Sequence, residues 1–329
     1  MLHIHNGDSS ALTAYQANIP GEHLGWREAL VCGPAPGNLS HEEFLQVRAE
    51  HLSSTYGVDL QKCADELRFQ HRKIAAFTEH EEIVLWFEHD LFCQVQLIYL
   101  LHWFAQRERG ATKLSLVCID EFPGVQSFHG LGQLNEEQLT ELFPQRREIS
   151  SEQLSLGTRA WKEYSSPDAR GFLRLRFADT SALPFLKPAL INHLQRFPFT
   201  RNGLGRIENV ALELIAAGHK GFNKLFPAFI RREKDYGFGD VQLYLALKRL
   251  ADAPVPALKH SNGGDWSNDS ARMFLSSFEL TEDGRAMLAG EKDFVVSNGI
   301  DLWLGGIHLH GKEAAWRWDE GVRDLLVSL

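Results

Sequence analysis

The sequence predicts an α/β protein in which an open, mostly parallel, doubly wound sheet is followed by a mostly helical part. Two observations within the first 150 residues predict the sheet. Short apolar segments alternate with helical patterns, and a parallel sheet needs a helix to return the chain between successive strands. Segment 83–87 is apolar throughout, as expected of a strand that is covered on both faces. Beyond residue 150 helical patterns dominate, and prolines separate several of them.

Apolar periodicity and end signals define the elements of the first part. The predicted strands cover residues 2–6, 23–31, 83–87 and 113–119. The predicted helices cover residues 11–17, 40–52, 59–69, 91–104 and 135–143. Ser40 and Glu43 form a capping box at the start of the second helix, and the prolines and glycines within residues 32–37 end the second strand. This alternation is typical of a Rossmann-like sheet.

The second part begins with three helical patterns, at residues 206–217, 221–232 and 240–251. Strands are predicted at residues 257–260 and 273–280, and a capped helix follows Thr281. Three helices, a hairpin and a closing helix predict a winged-helix-like arrangement. The predicted organisation is an α/β domain at 1–150, a helical connector at 151–200, and a winged-helix-like domain with a tryptophan-rich tail at 201–329.

The composition is that of an ordinary globular protein. Hydrophobic residues make up 44% of the 329 residues and charged residues 23%, which excludes a disordered tail, a fibrous repeat and a coiled coil. Residues 1–150 carry 11 basic and 21 acidic side chains, and the rest of the chain carries 23 and 22. Bulk charge therefore does not favour nucleic acid or anionic lipid as a partner of the first part.

The cysteines and the N-terminus indicate the cellular compartment. The four cysteines are widely spaced and none forms a C-x-x-C pair, so neither a disulfide scaffold nor a zinc knuckle is predicted. The first residues lack the basic start and apolar run of a secretory signal, and the most apolar stretch, 91–105, is too short to span a bilayer. We expect a soluble cytoplasmic protein with reduced thiols and no membrane partner.

Polar side chains follow the predicted strands at their carboxyl ends. In an open parallel sheet these ends meet at one edge, where ligands bind. The residues expected there are Asn6, Gly7, Asp8, Ser9, Glu28, Glu88, His89, Asp90, Gln94 and Asp120. Carboxylates brought together repel one another unless a cation or ligand hydroxyl groups lie between them. We therefore expect a small polar or nucleotide-like ligand, a divalent metal, or both.

Three acidic residues are the candidate metal ligands, namely Asp8, Glu88 and Asp90. Together with Glu88 and Asp90, His89 is a candidate catalytic residue, because an imidazole there, or that of His5, would transfer protons. A structural role is open for each: Asp8 and Asp90 would cap helices, and His89 would hydrogen-bond the backbone. The sequence contains no dinucleotide-binding or P-loop glycine motif and no G-x-S-x-G motif.

A cysteine four residues after His89 offers a second chemistry. Cys93 would share a helix face with that histidine and is a candidate nucleophile. Its helix is apolar, however, and a buried, inert thiol is the commoner role of such a cysteine. Both roles stay open.

The C-terminal tail, residues 300–319, concentrates three tryptophans, two histidines and a pair of glycines. The aromatic residues either close a ligand pocket or attach the tail to the rest of the protein by packing. In the first case His308, Arg317 and Asp319 are the expected polar ligand contacts.

A winged-helix arrangement would make its third helix a DNA-reading element. The side chains available there are Gln242, Tyr244, Lys248 and Arg249, and acidic residues flank both ends of the helix. DNA is therefore a less favoured partner than a small molecule, and a structural or dimerising role is preferred for this part. The oligomeric state is not predicted.

Several phrases of the sequence together resemble a known family. They are residues 3–9 (HIHNGDS), Trp26-Arg27-Glu28 with Gly33-Pro34, and residues 86–94 (WFEHDLFCQ). They resemble the bacterial family known as domain of unknown function 1835, and residues 303–306 and 316–319 resemble the tail of its longer members. The resemblance spans most of the chain but implies no activity, because the family is uncharacterised. His5 departs from the family pattern, which usually has valine or a similar residue there.

Three functional hypotheses follow from these observations. The first is an enzyme that acts on a small polar or nucleotide-like ligand at the acidic edge of the sheet. The second is a ligand-sensing, DNA-binding regulator, and the third is an interaction scaffold without chemistry.

Overall fold

The computed structural model describes residues 1–261, 266 and 270–327. Its contacts divide the chain into two units, Met1–Leu190 and Ile191–Leu329. All four cysteines are free thiols. No helix in the described part of the chain combines the length and the apolar character that crossing a bilayer requires.

The first unit alternates strands and helices. Its strands are β1 (Leu2–His5), β2 (Glu22–Gly25), β3 (Gly33–Pro34), β4 (Glu82–Glu88), β5 (Lys113–Ile119) and β6 (Arg147–Glu148). Its helices are α1 (Asp8–Gln16), α2 (His41–Tyr56), α3 (Leu60–Ala75), α4 (Leu91–Ala105), α5 (Glu136–Leu142), α6 (Ser151–Tyr164) and α7 (Arg170–Phe177), and α8 (Leu186–Leu194) contains the boundary between the units. The predicted mixed α/β architecture is confirmed.

Five strands form one mostly parallel sheet, in the order β2-β1-β4-β5-β6. β1 is parallel to both β2 and β4, β4 is parallel to β5, and the short β6 is antiparallel to β5. The chain moves from β1 to one edge of the sheet, then returns past β1 to β4 and continues to the other edge. The order therefore reverses between β1 and β4, which is the place where α/β sheets bind ligands.

The middle of this sheet is the core of the unit. Ile83, Val84, Leu85, Trp86 and Phe87 of β4 are completely buried, which explains the uninterrupted apolar run in the sequence. Helix α4 packs against β4 and α6 and is buried on nearly all sides. Each fully buried large apolar side chain stabilises the fold by about 1.5–3 kcal/mol.

The second predicted strand is wrong in its extent. β2 ends at Gly25, and the chain leaves the sheet after Trp26, whose amide still donates to the His5 carbonyl at 2.8 Å. The backbone amide of Arg27 donates to the side chain of Gln70 on α3 instead of to a strand. Trp26 is buried by α3 and α4 rather than by strand pairing, so its apolar character gave a misleading strand signal.

The predicted capping box of α2 is confirmed, since the Glu43 amide donates to Ser40 Oγ at 3.4 Å and the Ser40 amide donates to Glu43 Oε2 at 2.8 Å. The strand β6 was not predicted, because two exposed charged residues carry no apolar periodicity.

The second unit is built of short helices and antiparallel strand pairs. Its helices are α9 (Arg206–Ala216), α10 (Phe222–Arg232), α11 (Asp240–Ala251), α12 (Ser270–Phe274), α13 (Glu282–Leu288) and α14 (Phe294–Asn298). Its strands are β7 (Leu258–His260), β8 (Phe278–Leu280), β9 (Ile300–Gly305), β10 (Ile307–Gly311), β11 (Trp316–Asp319) and β12 (Asp324–Val327). The pairs β7/β8, β9/β10 and β11/β12 are antiparallel.

The predicted strand over residues 273–280 is wrong in its first half. Residues up to Phe274 belong to α12, and only Phe278–Leu280 is a strand. Met273 and Phe278 are both completely buried, so burial alone did not distinguish a helix end from a strand. Glycine, asparagine and aspartate are frequent in residues 261–270 and predict a loop there, but this stretch lies largely outside the described residues. The winged-helix assignment stays a prediction.

Candidate functional site

The point where the strand order reverses brings Asn6 and Glu88 together. Asn6 follows β1, and Glu88 is the last residue of β4. Asn6 Nδ2 donates a hydrogen bond to Glu88 Oε2 at 3.0 Å and also contacts Cys93 Sγ. Gly7 turns the chain from β1 into α1 with a φ of 104°, a conformation that favours glycine. Gly7 thus supports the site through its backbone.

The Glu88 carboxylate lies at the centre of a buried network. It accepts hydrogen bonds from Asn6, from the Cys93 thiol, and from the backbone amide of Leu131 at 2.6 Å. The loop can approach so closely because residue 130 is glycine: its φ is 146°, and a Cβ there would lie 2.9 Å from Glu88 Oε1. The network therefore joins the ends of β1 and β4 to the loop that follows β5.

Burial determines the protonation of this network. It raises the pKa of Glu88, and hydrogen bonds from Cys93, Leu131 and Asn6 act in the opposite direction. Burial also raises the pKa of the Cys93 thiol well above its ordinary value, and the carboxylates of Asp90 and Glu88 raise it further. Cys93 is therefore a protonated thiol at neutral pH, which argues against an activated nucleophile.

Asp90 has the structural role that the sequence left open, since its Oδ1 accepts a hydrogen bond from the Cys93 amide at 2.8 Å and caps α4. It also belongs to a group of potential metal ligands. One ligand atom each from Glu88, Asp90 and Cys93 lies within 4.8 Å of the others, and all three residues are buried. Two carboxylates and a thiolate fit the donor set of zinc. This group shares Glu88 and Asp90 with the predicted metal ligands, but its third member is Cys93 and not Asp8.

Asp8 lies apart from this group and is exposed. Arg27 Nε donates to both of its carboxylate oxygens at 2.9 Å. The structural alternative, that Asp8 caps α1, is wrong, because Asp8 is the first residue of that helix and Gly7 occupies the capping position. Ser9, also exposed, donates weakly to the carbonyl of Gly132 at 3.5 Å.

Glu28 forms a buried ion pair with Arg48. Its Oε1 accepts from Arg48 Nη2 at 2.7 Å, and both side chains are almost completely inaccessible to solvent. Arg48 also donates to the carbonyl oxygens of Ala29, Cys32 and Pro34. The ion pair thus holds the segment after β2 in place. The position of Glu28 near a strand end predicted ligand binding, because the sequence pattern is the same for a carboxylate with a structural role.

The remaining predicted residues of the sheet edge differ in burial. Gln94 is buried, and its Nε2 donates to the Glu88 carbonyl at 2.7 Å and lies 3.5 Å from Cys118 Sγ. His89 is partly buried, and its ring packs edge-on against the ring of Phe185. Asp120 is exposed.

A cavity of about 480 Å³ lies beside these residues. Its wall includes Gln94 of α4, Cys118 of β5 and Phe185. The cavity therefore adjoins both the side chain that contacts the Glu88 carbonyl and the ring that contacts His89.

The structure also contains a histidine cluster that the sequence analysis missed. His3 and His5 lie on one side of β1, and His23 pairs in register with His3 on β2. His23 Nε2 bonds the Ile19 carbonyl, so its Nδ1 accepts from His5 Nε2 at 3.0 Å. The H-x-H spacing was a signal for the first two members, whereas the third depends on strand register.

Hydrogen bonds engage five of the six ring nitrogens of the histidine cluster, and the sixth, Nδ1 of His5, is buried without a partner among the described residues. His3 Nδ1 accepts from Trp86 Nε1, and its Nε2 bonds the Pro20 carbonyl. Burial lowers the pKa of His3 to about 4, and that of His5 well below its ordinary value. All three potential ligand atoms lie within 4.8 Å of one another, but both nitrogens of His3 are already engaged. The cluster is a neutral hydrogen-bonded part of the core.

The candidate residues of the C-terminal tail bond within the second unit. His308 stacks on Trp303 and bonds Asp301 at 2.7 Å. Arg317 pairs with Asp293 at 2.5 Å. Asp319 accepts from the Val322 and Gly321 amides and from Thr200 Oγ1, and these hydrogen bonds lower its pKa. The contacts match the packing alternative, and ligand binding by these residues stays a prediction.

The side chains expected to read DNA also have partners within the protein. Tyr244 is buried, Arg249 pairs with the buried Glu208, and Lys248 pairs with Asp252. Gln242 accepts from the Gly239 amide at the start of α11. DNA binding stays a prediction without a supporting contact pattern in the described residues.

Comparison with protein-family models and with curated proteins gives no match. The resemblance to the family known as domain of unknown function 1835 therefore stays a prediction.

Proposed function

We propose that the edge of the sheet between β1 and β4 is the active site of a metal-assisted enzyme that acts on a small polar or nucleotide-like molecule. The observation that carries this proposal is the group of Glu88, Asp90 and Cys93, whose potential ligand atoms lie within 4.8 Å of one another. The group lies where the strand order reverses, which is the usual ligand site of open α/β sheets.

The chemistry of the three side chains favours zinc. Thiolate ligands select zinc over magnesium and calcium, which prefer oxygen ligands alone. Glu88, Asp90 and Cys93 would hold the ion, and binding would displace the thiol proton of Cys93. When bound through three protein ligands, zinc lowers the pKa of a coordinated water molecule.

The neighbouring residues have supporting roles in this proposal. Asn6 donates to Glu88 and would hold that carboxylate in position as it does now. His89 is partly buried beside the cavity wall at Phe185 and would transfer protons. Gly130 keeps the covering loop close to Glu88.

Metal binding can be tested by thermal unfolding of the full chain with and without zinc. At a zinc concentration of about 100 times Kd, the gain in the free energy of unfolding is about 2.7 kcal/mol. For a unit of this size that corresponds to a rise in Tm of about 5–10 °C. Magnesium at the same concentration is expected to have no such effect.

A matched pair of variants isolates the ligand role of Asp90. Asp90→Asn keeps a good capping residue on α4 but removes the charge, and we expect it to abolish the zinc response. Asp59→Asn is the control, because Asp59 caps α3 in the same way through the Lys62 amide. An absent zinc response in the wild type, or an equal response in both variants, would contradict the proposal and favour the scaffold hypothesis.

A further inference from the structure

We infer that the cavity beside α4 and β5 binds a small molecule with an apolar body and one anionic group, and that Arg147 binds the negative charge. The inference rests on the proposed function, because it narrows the ligand of that site from a small polar or nucleotide-like molecule to an organic anion with an apolar body. It draws on the walls of the cavity, on the open edge of β5 and on the unused polar atoms that line it.

The size and the walls of the cavity suit a small organic molecule. Its volume of about 480 Å³ falls within the range of about 300–1,000 Å³ that is typical of ligand pockets. The apolar part of the wall includes Leu97, Leu116, Leu142, Leu183 and Phe185. Such a wall favours an aromatic or branched aliphatic group over a sugar or a free inorganic ion.

The position of the cavity follows from the shortness of β6. This strand pairs with β5 only at Ser115 and Leu116. The last three residues of β5, Val117, Cys118 and Ile119, all line the cavity. The cavity thus occupies the edge of the sheet that β6 leaves uncovered.

Arg147 is a positively charged side chain of this wall for which the described residues provide no ion-pair partner. Its neighbour Arg146 pairs with Glu82 at 2.9 Å and lies over the ring of Phe143. The guanidinium of Arg147, by contrast, has no carboxylate, carbonyl or ring partner among the residues that the structure describes, and Arg147 lines the cavity. A planar guanidinium binds a carboxylate or a phosphate through two parallel hydrogen bonds.

Two of the three glutamines that line the cavity have a polar atom available to a ligand. Gln94 is 2% exposed, and its Nε2 donates to the Glu88 carbonyl, which leaves its Oε1 without a partner in the described part of the chain. Gln153 accepts from the Ser150 amide through Oε1, so its Nε2 is a spare donor. A ligand that carries a hydroxyl group besides its anion would satisfy Gln94.

The cavity is also connected to the candidate catalytic residues. Gln94 contacts the backbone of Glu88, and Phe185 contacts the ring of His89. A ligand held by Arg147 would therefore lie beside the proposed zinc site.

Isothermal titration calorimetry on the full chain tests the inference with matched probes. The first probe is 3-(4-hydroxyphenyl)propionate, and its amide is the neutral counterpart. We expect the carboxylate to bind at least tenfold more tightly than the amide. A second anion, phenyl phosphate, shows whether a phosphate source is preferred to a carboxylate source. 3-Phenylpropionate, which lacks the hydroxyl group, is expected to bind more weakly than the first probe.

Arg147→Gln is the decisive variant, and we expect it to weaken binding of both anions at least tenfold while binding of the amide is unchanged. Arg72→Gln is the control, since Arg72 is exposed on α3 and does not line the cavity. Equal anion affinity in the wild type and in Arg147→Gln, or no binding of either anion to the wild type, would overturn the inference.

The same titrations separate this inference from the metal proposal. They are repeated on metal-free protein and on Asp90→Asn. Anion binding that depends on Arg147 but occurs without any zinc response would support the cavity and reject the zinc site. A zinc response without anion binding would reject the cavity inference alone.

Discussion

The buried histidines of β1 predict a specific loss of stability in mild acid. Burial lowers the pKa of His3 from 6.5 to about 4, whereas the unfolded chain keeps the ordinary value near 6.5. Between pH 6.5 and about 4 the unfolded state therefore binds a proton that the folded state does not, and stability falls as the pH falls. Above pH 6.5 this contribution is fully present.

The magnitude follows from the shift. A difference of one pKa unit corresponds to about 1.36 kcal/mol, so His3 alone costs about 2.5 kcal/mol between pH 7.5 and 4.5. His3 is completely buried, so solvent screening does not reduce this value. His5, whose pKa is also lowered well below its ordinary value by burial, adds a loss of the same sign.

Urea unfolding followed by circular dichroism at pH 7.5 and pH 4.5 measures the effect. His3→Gln is the test variant, because its amide can accept from Trp86 and donate to the Pro20 carbonyl as the imidazole does but does not titrate. We expect its free energy of unfolding to change by about 2.5 kcal/mol less between the two pH values than that of the wild type. His310→Gln is the control, because that imidazole is exposed. An identical pH dependence in His3→Gln and the wild type would show that His3 does not cause the loss of stability in acid.

Three further predictions concern buried contacts of the first unit. Arg48→Met is expected to destabilise the protein by about 3–5 kcal/mol, because it leaves Glu28 buried without its partner. Urea unfolding measures this loss, and the double variant Glu28→Gln/Arg48→Met should recover part of it. Gly130→Ala should lower the free energy of unfolding by about 1–3 kcal/mol, and by more than Gly124→Ala does. Both glycines have positive φ, but only at residue 130 would a Cβ lie 2.9 Å from Glu88. Equal losses in thermal unfolding would contradict this steric explanation. Iodoacetamide should alkylate Cys93 at least tenfold more slowly than the partly exposed Cys32, because Cys93 is buried and its pKa is raised. Peptide mass spectrometry measures both rates, and comparable rates would show that Cys93 is not a buried, protonated thiol.

Strand-end reasoning located part of the site because topology constrains it. A continuous apolar run such as β4 must be a central strand, and the residues that follow central parallel strands meet at one edge. Asn6, Glu88 and Asp90 were predicted on that ground, and the first two are hydrogen-bonded to each other.

Roles that depend on distant partners were not predictable in the same way. Glu28 was predicted as another ligand-binding carboxylate at the edge of the sheet, but it pairs with Arg48, which lies 20 residues further along the chain. Cys93 was considered as a nucleophile, and the contact of its thiol with Glu88 is evident only in the folded structure. His23 joins His3 through strand register, which a single sequence does not reveal.

Coordination of one zinc ion by Glu88, Asp90 and Cys93 would have a distinct spectroscopic signature. X-ray absorption at the zinc edge of the zinc-loaded full chain measures it. We predict one sulfur neighbour at about 2.3 Å and oxygen neighbours at about 2.0–2.2 Å, with the sulfur lost in Cys93→Ser. A zinc ion surrounded by nitrogen and oxygen alone, or a sulfur neighbour that persists in Cys93→Ser, would contradict the account.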